Sequence, residues 1–375
     1  MLFSSAAKDL ICPQCDKSYS LSAINTYALC CNQPLLVQYD YSIPIEKKDL
    51  SQRQHTIWRY FEMLPVLDEK NIVSLGEGMT PLIKLNKLGF SNLFMKDESV
   101  NPTGSFKARG MSVAVSKMKE LGIERCIIPT AGNAGVALAA YCEKANIQCT
   151  VVMPEHSPAN FKKWCRHYKA ELILVKGLIN DCAKKVEELK KQADYFDAST
   201  LKEPYRLEGK KTMGYEIAEQ LNWELPNVII CPVGGGTGLI GIWKGLQEMI
   251  ELGWIKKPLP KMIAVQAANC APLAAALRDP VNWKKNFSPK PSVAYGLAVP
   301  YPFALKLMQT VIRDSNGEVV VVTEEEISSG IDDVEAAEEI QISPEGSAAW
   351  KAVVHLVNRK QIHENDKIVF LNTGS

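Results

Sequence analysis

No stretch of this 375-residue chain approaches the ~20 consecutive apolar residues that a helix needs to cross a bilayer. No charge of one sign prevails either. The 43 lysines and arginines are balanced by 42 acidic residues to a net charge of +1, so the composition calls for neither nucleic acid nor an acidic membrane surface. A secretory leader is missing, since Met1-Leu2-Phe3-Ser4-Ser5 runs within a few residues into Lys8 and Asp9 rather than into an apolar core. Internal repeats and low-complexity tracts are missing too. The cysteines are not an even, regularly spaced set. There are 11, and Cys126, Cys149 and Cys231 sit in apolar segments, the pattern of free thiols in a reducing cytoplasm rather than of a disulfide framework. These absences leave a cytoplasmic enzyme as the expectation.

What the chain does have is alternation. Strand-like runs at 92–97, 125–129, 147–153, 171–176, 226–233, 261–267 and 367–371 alternate with helix-like runs at 106–121, 133–145, 158–169, 180–192, 209–222, 238–252 and 346–359. That order predicts an α/β fold in which parallel sheets carry helices on both faces. The length exceeds one simple core and suits two packed lobes.

Three loops carry chemistry. In Asn101-Pro102-Thr103-Gly104-Ser105-Phe106-Lys107-Ala108-Arg109-Gly110, a turn-rich loop delivers Lys107 to the first turn of a helix. The positive end of a helix dipole disfavours an ammonium there, and desolvation adds to the effect. Both lower an amine from its pKa of roughly 10.4 toward the range of a nucleophile or base. A solvated surface lysine is the plain alternative. Gly234-Gly235-Gly236-Thr237-Gly238 follows the apolar run Val228–Val233 and opens another helix, so its amides can close around a phosphate without interference from Cβ atoms. It lacks the Lys-Ser/Thr ending of a nucleotide P-loop and the spacing of the dinucleotide fingerprint, which favours a small phosphate-bearing cofactor over ATP or NAD. A tight turn would look the same. Pro129-Thr130-Ala131-Gly132-Asn133-Ala134-Gly135 again joins a strand to a helix start, where amides suit a carboxylate and the Asn133 amide suits a phenolate oxygen, unless it is an ordinary capped turn. Reactive lysine, phosphate loop and carboxylate loop together describe a pyridoxal phosphate enzyme acting on an amino acid.

These loops, with Leu75-Gly76-Glu77-Gly78-Met79-Thr80-Pro81-Leu82 and Glu203-Pro204-Tyr205-Arg206-Leu207-Glu208-Gly209, resemble threonine synthases of the tryptophan-synthase-β-like, fold-type II pyridoxal phosphate enzymes. The resemblance spans nearly the whole chain. It implies two doubly wound lobes, a small inserted one at 104–198 and a larger one from 46–103 plus 199–375, with the cofactor between them. It implies a homodimer acting on a small amino-acid substrate, with conversion of O-phosphohomoserine and water to threonine and phosphate. Lys107 would be covalent anchor and base. Phe106, Asn133, Gly234, Gly235, Gly236, Thr237, Gly238 and Thr373 would contact the cofactor, Thr373 at its pyridine nitrogen. Thr130, Ala131, Gly132, Asn133 and Ala134 would hold the substrate carboxylate. Arg206 would clamp the substrate phosphate, against the alternative of a surface arginine paired with Glu203 or Glu208. Glu345, in Ser343-Pro344-Glu345-Gly346, reads as a helix cap, with a place near the substrate as the alternative.

Two departures bear on this. Ala108 and Ala134 stand where many threonine synthases have Asp and Thr, which keeps open a β-replacement or β-elimination enzyme, similar to cysteate synthase or to ammonia-lyases acting on threonine, serine or diaminopropionate. At the N-terminus, residues 1–45 resemble a zinc-ribbon-like start, with Cys12-Pro13-Gln14-Cys15 and then Cys30-Cys31. Neighbouring cysteines project differently and seldom both reach one tetrahedral ion, so a metal-free β-ribbon is expected here.

Overall fold

The structure is a computed structural model that describes residues 4–43 and 45–375. It divides into two compact units. One holds the described residues through Met79 with Asn101–Thr103 and Lys107–Lys210, and the other holds Thr80–Val100, Gly104–Phe106 and Lys211–Ser375.

The first unit begins with β1 (Ala7–Ile11), β2 (Ser18–Ser20), β3 (Tyr27–Ala28), β4 (Gln33–Pro34) and β5 (Leu36–Tyr39). β1 lies between β2 and β5 in an antiparallel sheet, and β3 pairs with β4 in a separate hairpin. The chain then crosses to the second unit for β6 (Leu82–Leu85) and β7 (Leu93–Asp97) before returning for β8 (Arg125–Pro129), β9 (Gln148–Pro154), β10 (Glu171–Val175) and β11 (Phe196–Asp197). These four form a parallel sheet in the order β10-β9-β8-β11. Helix Ile179–Leu189 lays Ile179, Cys182, Val186 and Leu189 on it against Ile127, Val152 and Ile173, the spacing of one helix face.

Helix Lys107–Glu120 is buried from Ala108 through Met118, and a helix buried all round must satisfy its hydroxyls internally. Ser112 Oγ donates to Val73 O (2.7 Å), Val73 N donates to Ser116 Oγ (2.8 Å), and Trp58 Nε1 donates to Ser112 Oγ (3.0 Å). Tyr39 likewise donates to Glu208 (2.7 Å) in a buried contact. Those bonds tie the described residues through Met79 to 107–210 within the first unit.

The second unit is built on a six-stranded sheet, β14-β13-β12-β15-β7-β6, to which β12 (Val228–Pro232), β13 (Lys261–Ala267), β14 (Glu318–Val322) and β15 (Ile368–Asn372) contribute. Five strands are parallel, and β6 is antiparallel to β7. The short link 86–92 leaves no room for the crossover that a parallel pair requires, so β6 joins the parallel strands as an antiparallel edge. Helix Pro344–Asn358 packs Ala348, Ala349, Ala352, Val353 and Leu356 into the same core as Ile230, Val265, Val320 and Phe370. Continuous apolar strands such as Val228-Ile229-Ile230-Cys231 mark a sheet covered on both faces. Among the described residues no helix is long and apolar enough to cross a membrane.

β8, β12 and β15 end, at their carboxyl ends, in the Asn133 loop, the glycine loop and Thr373 respectively. Loops at those ends of parallel strands are where α/β folds bind ligands.

Candidate active site

In the second unit, the residue before Lys107 is tied to the end of the chain. Phe106 N donates to Thr373 O (3.1 Å), Ser105 forms an isolated antiparallel bridge with Gly374, and the Phe106 ring would stand 3.2 Å from a Cβ on Gly238. The glycine loop is shaped by what surrounds it. A Cβ on Gly234 would lie 2.2 Å from Gly296 O, and one on Gly236, whose φ is +88°, would lie 2.4 Å from Met308 Sδ. Helix Thr237–Glu251 then starts on Gly236 with no side chain capping it, so its first amides remain available to an anion. Glu345 braces this loop from behind: its Oε1 accepts from Gly296 N at 2.7 Å. Ser343, not Glu345, caps helix Pro344–Asn358, accepting from Gly346 N at 3.1 Å, which corrects the role expected for Glu345. The strand end that carries Thr373 is held by Asn372, which donates to Asp97 (2.9 Å) and accepts from Ser343 Oγ (2.8 Å).

In the first unit, Lys107 is half-buried and is the first residue of helix Lys107–Glu120, the position that the sequence predicts. The loop before it is bent by Thr103, a non-glycine residue at φ 64°. Asn133 likewise heads helix Asn133–Ala145, whose N-cap is Gly132 without a side-chain cap. Gly132 N donates to Thr130 Oγ1 (3.2 Å), and the Phe161 ring lies 3.0 Å from where a Gly132 Cβ would be. Glu77 is fully buried and organises the loop around it, accepting from Tyr141 OH (2.5 Å), Leu75 N (2.9 Å) and Trp58 Nε1 (3.1 Å). Burial and the Glu77 charge push the Tyr141 phenol well above its ordinary value, which keeps it the donor.

Arg206 is no surface arginine; it is only 4% exposed. Its Nε donates to Glu203 Oε1 at 2.8 Å, yet its Nη2 is buried with no hydrogen-bond partner among the described residues. Leaving such a donor unmade is costly, so the guanidinium presents a half-used fork. Two close backbone approaches fix where it stands. A Cβ on Gly110 would be 2.8 Å from Arg206 O, and a Cβ on Gly209 would be 2.1 Å from Arg109 O, so helices Lys107–Glu120 and Tyr205–Gln220 cross with backbone against backbone. Lys107 and Arg206 each lie one turn before the glycine of that crossing.

Sequence reasoning assigned no role to three buried hydroxyls that also find no partner among the described residues: Thr103 Oγ1, Ser105 Oγ and Tyr205 OH. Their signal was present, since all three sit inside the two motifs that carry Lys107 and Arg206.

Comparison with known proteins agrees with this geometry. A family model described as pyridoxal-phosphate dependent enzyme matches residues 73–374. The threonine synthase of Methanocaldococcus jannaschii is 36% identical over 97% of this chain and 91% of its own. That of Methanosarcina acetivorans is 34% identical over the same shares. The chain belongs to the threonine synthase family of pyridoxal-phosphate dependent enzymes. It shares its fold with the processed form of threonine deaminase isoform 2 from Solanum lycopersicum, at a TM-score of 0.66 and 21% identity over 94% of each chain.

Like its family, this lyase uses pyridoxal phosphate and acts on a small molecule. Its residues fit that cofactor: a helix start without a side-chain cap follows glycines whose Cβ atoms would have no room, and a lysine opens a second helix. The N-terminal thiols lie closer together than adjacent positions in an extended chain would place them. Sγ atoms of Cys12, Cys15, Cys30 and Cys31 all lie within 4.8 Å of one another. Adjacent residues project apart in an extended chain, but Cys30 and Cys31 occupy the Leu29–Asn32 reversal between β3 and β4.

Glu203 gives the Arg206 segment a pH signature. Burial raises its carboxyl from the ordinary 4.5 to about 7, against the pull of the Arg206 charge and of hydrogen bonds from Arg206 and Tyr205. Between those values the folded chain holds a proton that the unfolded chain has lost, so this group's contribution is full below pH 4.5 and is lost as pH rises to about 7. The slope is at most about 1.4 kcal/mol per pH unit. Glu203→Gln should therefore flatten the pH dependence of the urea midpoint across that window. Parallel curves for the two proteins would assign the titration elsewhere.

Proposed function

We propose that this enzyme converts O-phosphohomoserine and water to threonine and phosphate. The observation that carries this reading is Arg206: a buried cation, held on one edge by Glu203 and with Nη2 unpartnered among the described residues, suits a dianionic phosphate that only such a substrate brings. The family supports it, since relatives covering nearly the whole chain are threonine synthases.

When bound, pyridoxal phosphate supplies an electron sink for charge that develops on the substrate carbons. Lys107 holds the cofactor covalently through Nζ. The same Nζ, when free, would take and return protons at the α and β carbons of the substrate. The amides of Gly234, Gly235, Gly236, Thr237 and Gly238 hold the cofactor phosphate at a helix start. Phe106 lines the same side. Asn133 donates its amide to the ring oxygen, while the backbone from Thr130 to Ala134 binds the substrate carboxylate. Thr373 would serve the pyridine nitrogen, where a hydroxyl is too weak an acid to transfer a proton. Arg206 receives the phosphate as its bond to the γ carbon breaks and keeps it in place while water adds at the β carbon.

The test is substrate discrimination. Purified enzyme is mixed separately with O-phosphohomoserine, with O-phosphoserine plus sulfite, and with threonine, while phosphate and ammonia are followed. Phosphate release from the first alone, with threonine as the carbon product, is the expected outcome. Ammonia release from threonine, or phosphate release only with phosphoserine, would replace this reading by an elimination or β-replacement reaction.

A further inference from the structure

Two hairpin tips in the N-terminal ribbon point four thiols at one another. β1 and β2 are joined through Cys12–Lys17, where Cys12 N donates to Lys17 O and Asp16 N donates to Cys12 O, both at 3.0 Å. β3 and β4 are joined through Leu29–Asn32, which carries Cys30 and Cys31. In each tip the residue after the second cysteine is left-handed, Asp16 at φ 57° and Asn32 at φ 49°. Aspartate and asparagine tolerate that conformation better than other side-chain-bearing residues, and it curls each tip back over its own pair of thiols.

The resulting spacing is that of a coordination shell. Thiolates at ~2.3 Å from one zinc ion stand about 3.8 Å apart at tetrahedral angles. Here all four Sγ atoms lie within 4.8 Å of one another, and Cys15 Sγ is 3.4 Å from Cys30 Sγ. None of the four is in a disulfide. Tyr19 OH, 3.3 Å from Cys30 Sγ, adds a hydrogen bond that would orient a ligand from outside the shell. Cys12 is buried, while Cys15 and Cys30 are exposed, so an ion has both a floor and a way in. The second thiol cluster, Cys126, Cys142 and Cys149, differs on each count. It has three sulfurs, all buried between β8, β9 and helix Asn133–Ala145, and no fourth ligand among the described residues.

We propose that Cys12, Cys15, Cys30 and Cys31 bind one zinc ion as four thiolates, clasping the two hairpin tips together. The strands it joins are too short to hold themselves, since β3 and β4 have two residues each and β2 has three. The ion is structural, because all four positions of its shell are taken by protein.

The test uses the full-length protein purified from zinc-replete medium. Elemental analysis should find about one zinc per chain, and Cys15→Ser should reduce this at least about fivefold. Should that variant not fold, cobalt exchanged into the wild-type protein decides the matter through intense thiolate charge-transfer and tetrahedral d–d bands. These readouts are independent of the pyridoxal phosphate spectrum and of turnover. Wild-type protein that carries no metal, that carries iron instead, or that yields a Cys15–Cys30 disulfide on peptide mapping overturns the proposal.

Discussion

Lys107→Ala is expected to abolish turnover of O-phosphohomoserine, with a loss of at least about a thousandfold, and to remove the long-wavelength absorbance of lysine-bound cofactor. Both effects follow from one amine acting as covalent tether and as proton carrier, so they should fall together. The fold should survive, because alanine is the best helix former and Lys107 opens its helix with its side chain only half-buried. Circular dichroism and cofactor absorbance on one preparation separate these outcomes. A folded variant that keeps both the band and the activity would move the tether to another lysine.

Arg206→Ala should lower kcat by about two to three orders of magnitude while the cofactor band persists, since a lost charged donor to phosphate costs on the order of 2–4 kcal/mol at the transition state. Removing the guanidinium also strands the Glu203 carboxyl at 0% exposure. A buried charge without its partner destabilises strongly, unless it takes up a proton. The double variant Arg206→Ala/Glu203→Gln removes that complication. It should recover the stability of the single variant without recovering its activity. Near-normal activity in the double variant, or loss of the cofactor from a folded one, would make Arg206 structural and favour an unphosphorylated substrate.

The parts of the fold that could be read from sequence are those with one dominant period. Helix Asn133–Ala145 and β13 fall where the pattern places them, because their apolar residues are buried on all sides and flanked by turn residues. The stretch from 300 to 340 was passed over, although it holds helix Leu305–Asp314, β14 and helix Glu324–Glu338. The last is acidic, with only Ile327, Gly330 and Val334 buried, so periodicity alone was too weak. Its start was nonetheless written in Thr323 and Glu326, which form a reciprocal capping box. At the site, residue types and loop contexts were legible. What could not be read was contact across the chain: that Glu345 reaches Gly296, that Arg206 has a spare donor, and that a reversal turns Cys30 and Cys31 toward Cys12 and Cys15.

The glycine-on-glycine crossing of helices Lys107–Glu120 and Tyr205–Gln220 sets a fixed gauge. Peptide groups, not side chains, are in contact there, so the span from the lysine helix to the arginine helix has no adjustable spacer. Phosphohomoserine and phosphoserine differ by one methylene along that same span. A side-chain substitution lining the pocket can change how well either fits, but it cannot shorten the distance between Lys107, proposed to work at the α carbon, and Arg206, proposed to grip the phosphate. Converting this enzyme to the shorter substrate would have to begin in the backbone at Gly110 and Gly209, one turn along each helix from Lys107 and Arg206.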